Sequence, residues 1–254
     1  MNPPKLGLGL LLALLFAQAA PARAEEARVL LTRAEAALAQ GSYLEAKQLC
    51  QQALQQNPDV KTAAAAQERL GQANVKLLFS PLPAPDSAAY VVAPGDSLAR
   101  ISRKMGTTVE LLRVSNNLRG DFIRVNQRLK VSQAKFSVLV DKSLNTLTLK
   151  NGEEVVKVYR CSTGAGGITP AGTFKITSRM IDPVWKGIVP PGDPVNPLGT
   201  RWLGFDLPQY GIHGTSDPGS IGRQVTQGCV RLSNPDVEEL YTLLPEGTLV
   251  AIVE

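Results

Sequence analysis

The chain has 254 residues, 44% of them apolar and 19% charged, enough hydrophobic material for one large domain or two to three small ones, which excludes wholesale disorder. Its net charge of +5 comes from scattered basic residues, so nucleic-acid binding is not indicated, although a mild positive balance suits an acidic polymer such as a cell wall. A single histidine, His213, excludes any multi-histidine metal site, and three distant cysteines, Cys50, Cys161 and Cys229, form no short-spaced zinc pattern.

Lys5 precedes an apolar run from Leu6 to Phe16, and small residues follow, ending in Ala22, Arg23, Ala24. A charged start, a short apolar core and an A-x-A site predict a secretory signal peptide over 1–24, with the mature chain starting near Glu25. An uncleaved anchor is the alternative, disfavoured because the run is too short to span a bilayer. The expected location is the periplasm or cell envelope, with no stable membrane span after cleavage. The odd cysteine count then leaves at least one thiol unpaired.

Residues 25–80 are rich in Ala, Leu, Gln and Glu. Ala46, Leu49, Cys50, Ala53 and Leu54 fall on one face of a helix, which makes Cys50 a small core residue. Gly41, Tyr43, Ala46, Ala53, Leu54 and Pro58 resemble a tetratricopeptide repeat, a helix–turn–helix unit, and a further helix follows over 60–78. One repeat buries little by itself. The module is therefore read as a helical spacer, with a groove for a protein partner as the other reading. Pro81, Pro83 and Pro85 then predict a stiff linker over 81–89 and a domain boundary.

Within 90–132 a short strand from Tyr90 to Val92 leads into a turn at Pro94, Gly95, Asp96, Ser97, with Asp96 or Ser97 placed to cap a helix. Leu98, Ile101 and Met105 keep helical spacing. Thr107 and Thr108 open a second helix carrying Val109, Leu111 and Leu112, and Gln127, Leu129 and Val131 read as a closing strand. This strand–helix–helix–strand unit resembles the LysM module through Tyr90, Val92, Gly95, Asp96, Ser97, Leu98, Ile101, Leu111, Asn116, Asn117, Ile123 and Leu129. The resemblance implies binding to N-acetylglucosamine glycan strands in a groove between Gly95, Asp96, Ser97 and Leu98 on one side and Asp121 to Ile123 on the other. The glycine and aspartate also serve the turn itself.

From 136 to 254 the pattern is mainly β. Alternating apolar residues at Phe136, Val138 and Val140, then Leu147 and Leu149, reach Asn151-Gly152, a hairpin signal. Further strands follow at Val155 to Tyr159, Thr173 to Thr177 and Leu249 to Val253, with one helical patch near Asp236 to Leu243. A β-sandwich or barrel-like sheet is expected.

His213 and Cys229 stand sixteen positions apart in this half, each among glycines. An imidazole can take the proton of a thiol and later deliver it to a leaving amine. A glycine before the cysteine turns the backbone sharply and frees N–H groups for an oxyanion. Arg231, two residues on, falls on the same strand face as Cys229 and suits a substrate carboxylate. A buried cysteine and a hydrogen-bonded histidine would account for the pair equally well on spacing alone.

The wider pattern resembles the YkuD-type L,D-transpeptidase domain. It runs through Ser162-Thr163-Gly164, Thr169 to Phe174, Pro183-Val184-Trp185, Asn196 to Trp202, Gly211 to Thr215, Ser220-Ile221-Gly222 and Gly228 to Arg231. The resemblance implies peptidoglycan stem peptides as partners and no metal or organic cofactor. It implies Cys229 as nucleophile, His213 as base, the Gly214 carbonyl fixing the imidazole tautomer, and the N–H groups of Gly228 and Cys229 as oxyanion hole, with Thr226, Gln227 and Arg231 around the substrate. It implies a thioester resolved by an acceptor amine, in 3→3 cross-linking or protein attachment. Water as acceptor, giving a carboxypeptidase, is one alternative. The other is a weakened binding protein, since Gln227 stands where the family has histidine and cannot carry charge. Cys161 reads as a buried structural thiol, and Trp185 and Trp202 as core or cleft residues.

Overall fold

The computed structural model describes residues 8–254, with side chains from Ala22 onward. Of the signal peptide expected over 1–24, residues 1–21 lie outside the fully described residues. Two units divide between Lys76 and Leu77.

The first unit is helical: α1 (Leu8–Ala39), α2 (Tyr43–Gln55) and the greater part of α3 (Val60–Phe79). Small side chains let the helices meet closely. Ala34, Ala46, Ala53, Ala66 and Ala73 are fully buried, and Cys50 lies among them with a free thiol. Gly41, at φ +77°, makes the left-handed turn between α1 and α2. Asp59 opens α3 by accepting the Thr62 N–H at 3.0 Å.

In the second unit β1 (Ser87–Val91) pairs antiparallel with β2 (Arg128–Ser132), and α4 (Leu98–Met105) and α5 (Val109–Val114) lie between them in the chain. Ser97 and Thr108 cap the two helices with their hydroxyls, and Gly106 ends α4 in the left-handed conformation. The end of α3, just before the proline segment, is bonded to β2. Helix carbonyls at the end of α3 need partners, and the Lys130 ammonium takes those of Leu77 and Ser80 at 2.8 Å each. Ser87, expected in the linker, already pairs with Ser132 in β1.

The remaining strands are β3 (Phe136–Asp141), β4 (Thr146–Asn151), β5 (Glu154–Arg160), β6 (Thr163–Gly164), β7 (Gly172–Ile181), β8 (Arg201–Phe205), β9 (Gly211–His213), β10 (Gln224–Thr226), β11 (Val230–Arg231) and β12 (Leu249–Val253), with α6 (Asn234–Leu243) before the last. The expected sandwich or barrel is instead one curled eight-stranded sheet in the order β11-β9-β8-β7-β12-β3-β4-β5, with β10 and β6 as a separate parallel pair. The strands β9 and β11 contribute only three and two residues, too few to carry the sheet round to β5. Val138, Val140, Leu147, Leu149, Ile176, Leu203, Ile212, Val250 and Ile252 form the core with Val237, Leu240 and Leu244 from α6 and its end.

The α5 helix docks on α6. The Thr108 hydroxyl donates to the Thr242 carbonyl, and Glu110 pairs with Arg179 at 3.1 Å. The Arg179 guanidinium lies 4.1 Å over the Tyr241 ring and donates to the Tyr241 carbonyl. Leu111 enters the core of the large sheet.

Candidate active site

The site forms where the sheet ends. Parallel pairing of β9 with β11 sets Arg231 opposite His213 and Val230 opposite Ile212. Cys229 precedes β11 and so comes alongside Gly211. On the other side of His213, antiparallel pairing with β8 brings Trp202, whose ring stacks on the imidazole at 6.0 Å between centroids. Trp202 thus lines the site. Trp185 sits apart, in a small hairpin bridged to Val189.

His213 is 4% exposed. Its Nδ1 lies 2.7 Å from the Gly214 carbonyl, which can only accept, so Nδ1 carries the proton and Nε2 keeps its lone pair. Burial holds the imidazole down to about 4. The Gly214 carbonyl opposes that shift, and the positive charge of Arg231 adds to it. The ring is therefore neutral near neutrality, as a base must be.

Burial also raises the Cys229 thiol above its ordinary value, against the Gly211 N–H and the charge of Arg231, which favour the thiolate. The thiol donates to the Gln209 carbonyl at 3.3 Å and makes no hydrogen bond to His213. The resting pair is thus neutral on both sides. Gln209 holds its carbonyl there from a left-handed backbone at φ +70°.

Thr226 and Gly228, both expected around the substrate, bond to each other and to Cys229. The Thr226 hydroxyl is buried and donates to the Cys229 carbonyl at 2.7 Å, while accepting the Gly228 N–H at 3.2 Å. It clasps the turn and spends its one proton there. The Gly228 N–H is spent in the same clasp, which leaves the N–H of Cys229 as the donor available to an oxyanion. Gly228 has φ +118°, and a Cβ there would meet the Tyr210 ring at 2.7 Å, so glycine is required. Gln227 is exposed.

Arg231 donates to the Ser220 hydroxyl at 3.0 Å, and its Nε is buried with no partner. An unpaired guanidinium N–H at the head of the strand is suited to a carboxylate. Among the described residues no group of three or more His, Cys, Asp or Glu could hold a metal ion, and no helix is long and apolar enough to cross a membrane.

In the LysM-like unit, Asp96 accepts from the Ala93 N–H at 2.9 Å and the Tyr90 hydroxyl at 2.8 Å, Ser97 caps α4, and Asp121 pairs with Arg113 at 2.7 Å. Leu98 is 1% exposed, so its side chain belongs to the core. Gly95 keeps its turn at φ +81°, and Ile123 packs partly against the same core. In the second loop Asp121, Phe122, Arg124, Val125 and Asn126 are exposed, and Phe122 and Arg124 to Gln127 line a shallow depression.

Residues 135–252 match the profile of the L,D-transpeptidase catalytic domain, and residues 90–132 that of the LysM domain. A YkuD relative from Bacillus licheniformis is 33% identical over 171 residues, which cover 64% of this chain and 97% of the relative. The chain belongs to the L,D-transpeptidase family. The YkuD relative of Bacillus subtilis is likewise 33% identical, over 64% of this chain and 97% of its own length. The YqjB relative of the same species is 39% identical over 46% of this chain and 70% of its own. A solved L,D-transpeptidase from Mycobacterium smegmatis covers 52% of this chain and 65% of its own, at 21% identity and a TM-score of 0.41.

For this L,D-transpeptidase family member, sequence reasoning did not single out Gln209, Tyr210 or Asn234. Gln209 acts through a backbone carbonyl and leaves no side-chain signal. Asn234, at the start of α6, reads locally as a helix-start residue, although its side chain serves two other segments.

Proposed function

We propose that the chain is a cysteine acyltransferase of peptidoglycan stem peptides. The observation that carries this reading is the β9–β11 pairing, which sets a neutral imidazole, a thiol and a cationic guanidinium at one sheet edge. His213 Nε2 takes the proton of Cys229 as sulfur attacks the carbonyl carbon of the third stem residue, diaminopimelate or lysine. The oxyanion meets the Cys229 N–H. The carbon–nitrogen bond to D-alanine breaks, and the imidazolium returns the proton to the departing amine. An acceptor amine then attacks the thioester, the carbon–sulfur bond breaks, and the thiol is restored. Arg231 holds a substrate carboxylate. The LysM unit holds a glycan strand, and 1–24 directs the chain to the envelope.

The test is intact-protein mass spectrometry after mixing with a disaccharide tetrapeptide, beside Cys229→Ala. The expected result is an adduct of the disaccharide tripeptide on the parent chain only, with product analysis separating amine transfer from hydrolysis. A folded parent chain that gives neither adduct nor product, yet binds the polymer, would leave the weakened binding protein as the better account.

A further inference from the structure

We propose that Asn234 is a positioning residue that fixes the tautomer of His213 through one peptide plane. The inference rests on the reading of His213 as the base. The two ends of that plane are both held. Its carbonyl, from Gly214, lies 2.7 Å from His213 Nδ1. Its N–H, from Thr215, donates to Asn234 Oδ1 at 2.9 Å. No cis peptide bond occurs among the described residues, and in a trans peptide the C=O and N–H point in opposite directions. Asn234 on one side therefore aims the carbonyl at the imidazole on the other. Without that acceptor the plane loses the bond that aims its carbonyl, and the hold on a protonated Nδ1 weakens.

Three further observations agree. Asn234 has no duty in its own helix, because Ser233 already caps α6 by accepting the Asp236 N–H. The same oxygen also accepts the Thr200 N–H at 3.3 Å, so it ties the start of β8 to the end of β9. A Cβ on Gly214 would meet Asn234 Oδ1 at 2.2 Å, and one on Gly199 would meet that oxygen at 2.1 Å and the Thr215 nitrogen at 2.3 Å. Two glycines from separate segments make way for one amide oxygen.

The experiment is nitrogen NMR of the mature chain labelled with 15N-histidine, which gives one imidazole because the chain has one histidine. The parent should show a protonated Nδ1 and an unprotonated Nε2 near neutral pH. Asn234→Ala should draw the two nitrogen shifts together, as the tautomers mix, and slow thioester formation by about 10- to 100-fold. Asn234→Asp retains an acceptor oxygen and should restore the single tautomer. Should Asn234→Ala fail to fold, Asn234→Ser takes its place, its hydroxyl being too short to reach both N–H groups. Unchanged nitrogen shifts in the folded Ala or Ser variant would overturn the proposal, and so would mixed tautomers in Asn234→Asp. Failure of every folded chain to acylate, with the shifts behaving as stated, would instead count against the transpeptidase reading and leave the tautomer lock standing.

Discussion

The thiol of Cys229 directs its proton to the carbonyl of Gln209, 3.3 Å away. A carbonyl accepts a hydrogen bond but no proton, so this contact stores a thiol, not a thiolate. On the proposed mechanism, attack requires the sulfur to turn from Gln209 to the imidazole.

Alkylation kinetics test the resting state. Only the thiolate reacts. Cys229 is the half-exposed thiol, whereas burial drives Cys50 up to about 11 and Cys161 up to about 12. Iodoacetamide should label one cysteine in the folded chain and all three after denaturation. The native rate should keep climbing past the ordinary thiol value of about 8.5. A plateau already reached below neutral pH would mean a preformed thiolate–imidazolium pair.

The pH dependence of stability follows from His213. Its folded value, about 4, lies below the ordinary value of about 6.5, so the unfolded chain binds a proton more readily in the window between them. The contribution is fully present above about 6.5 and is lost as the pH falls toward about 4, amounting to about 3 kcal/mol. Urea midpoints across that window should fall in the parent chain and fall less in His213→Gln. The acid limb of acylation should follow the same low value, measured by NMR titration of the one imidazole. A titration near 6.5 in the folded chain would contradict the burial argument.

Thr226→Val keeps the shape of the turn and removes the hydroxyl that joins the Gly228 N–H to the Cys229 carbonyl. Leaving two polar groups unsatisfied costs about 1–3 kcal/mol each. The expected outcome is a lower melting temperature and a drop of about 10-fold or more in acylation rate, with binding of the polymer unchanged. Gly228→Ala should be worse, because φ +118° and the Tyr210 ring both oppose a side chain.

Arg179→Ala tests the docking of α5 on α6. It removes the ion pair with Glu110, the bond to the Tyr241 carbonyl and the stacking on Tyr241 at once. Both partners of the pair are less than a third exposed, and stability should fall by about 2–4 kcal/mol. Differential scanning calorimetry would read the loss. A shift near zero would mean that the contact contributes little to holding the two parts together.

How far the sequence could be read depended on the range of the interactions. The caps at Ser97 and Thr108 and the hairpin at Asn151-Gly152 are set within a few residues and were legible. So were the glycine-rich settings that place His213 and Cys229 on neighbouring segments. The insertion of β12 between β7 and β3 was not, because partners so far apart along the chain leave no local trace. The clasp between Thr226 and Gly228 was hidden for a related reason. A motif names residue types, but only the folded turn shows that the hydroxyl and the N–H satisfy each other. Leu98 was assigned to the glycan groove by its place beside the turn, whereas helix periodicity points its side chain inward.

Leu111 lies in the sequence of the LysM unit and in the core of the catalytic sheet. A cut at the seam near 133, which a map of the two families would invite, therefore removes part of the enzyme's own interior. The shortened enzyme would carry a hole under α6 and bare the faces of Tyr241 and Arg179, and its weakness would be mistaken for the loss of a sugar anchor. A change confined to the exposed loop at Phe122 leaves that inner helix, and the interior it fills, in place.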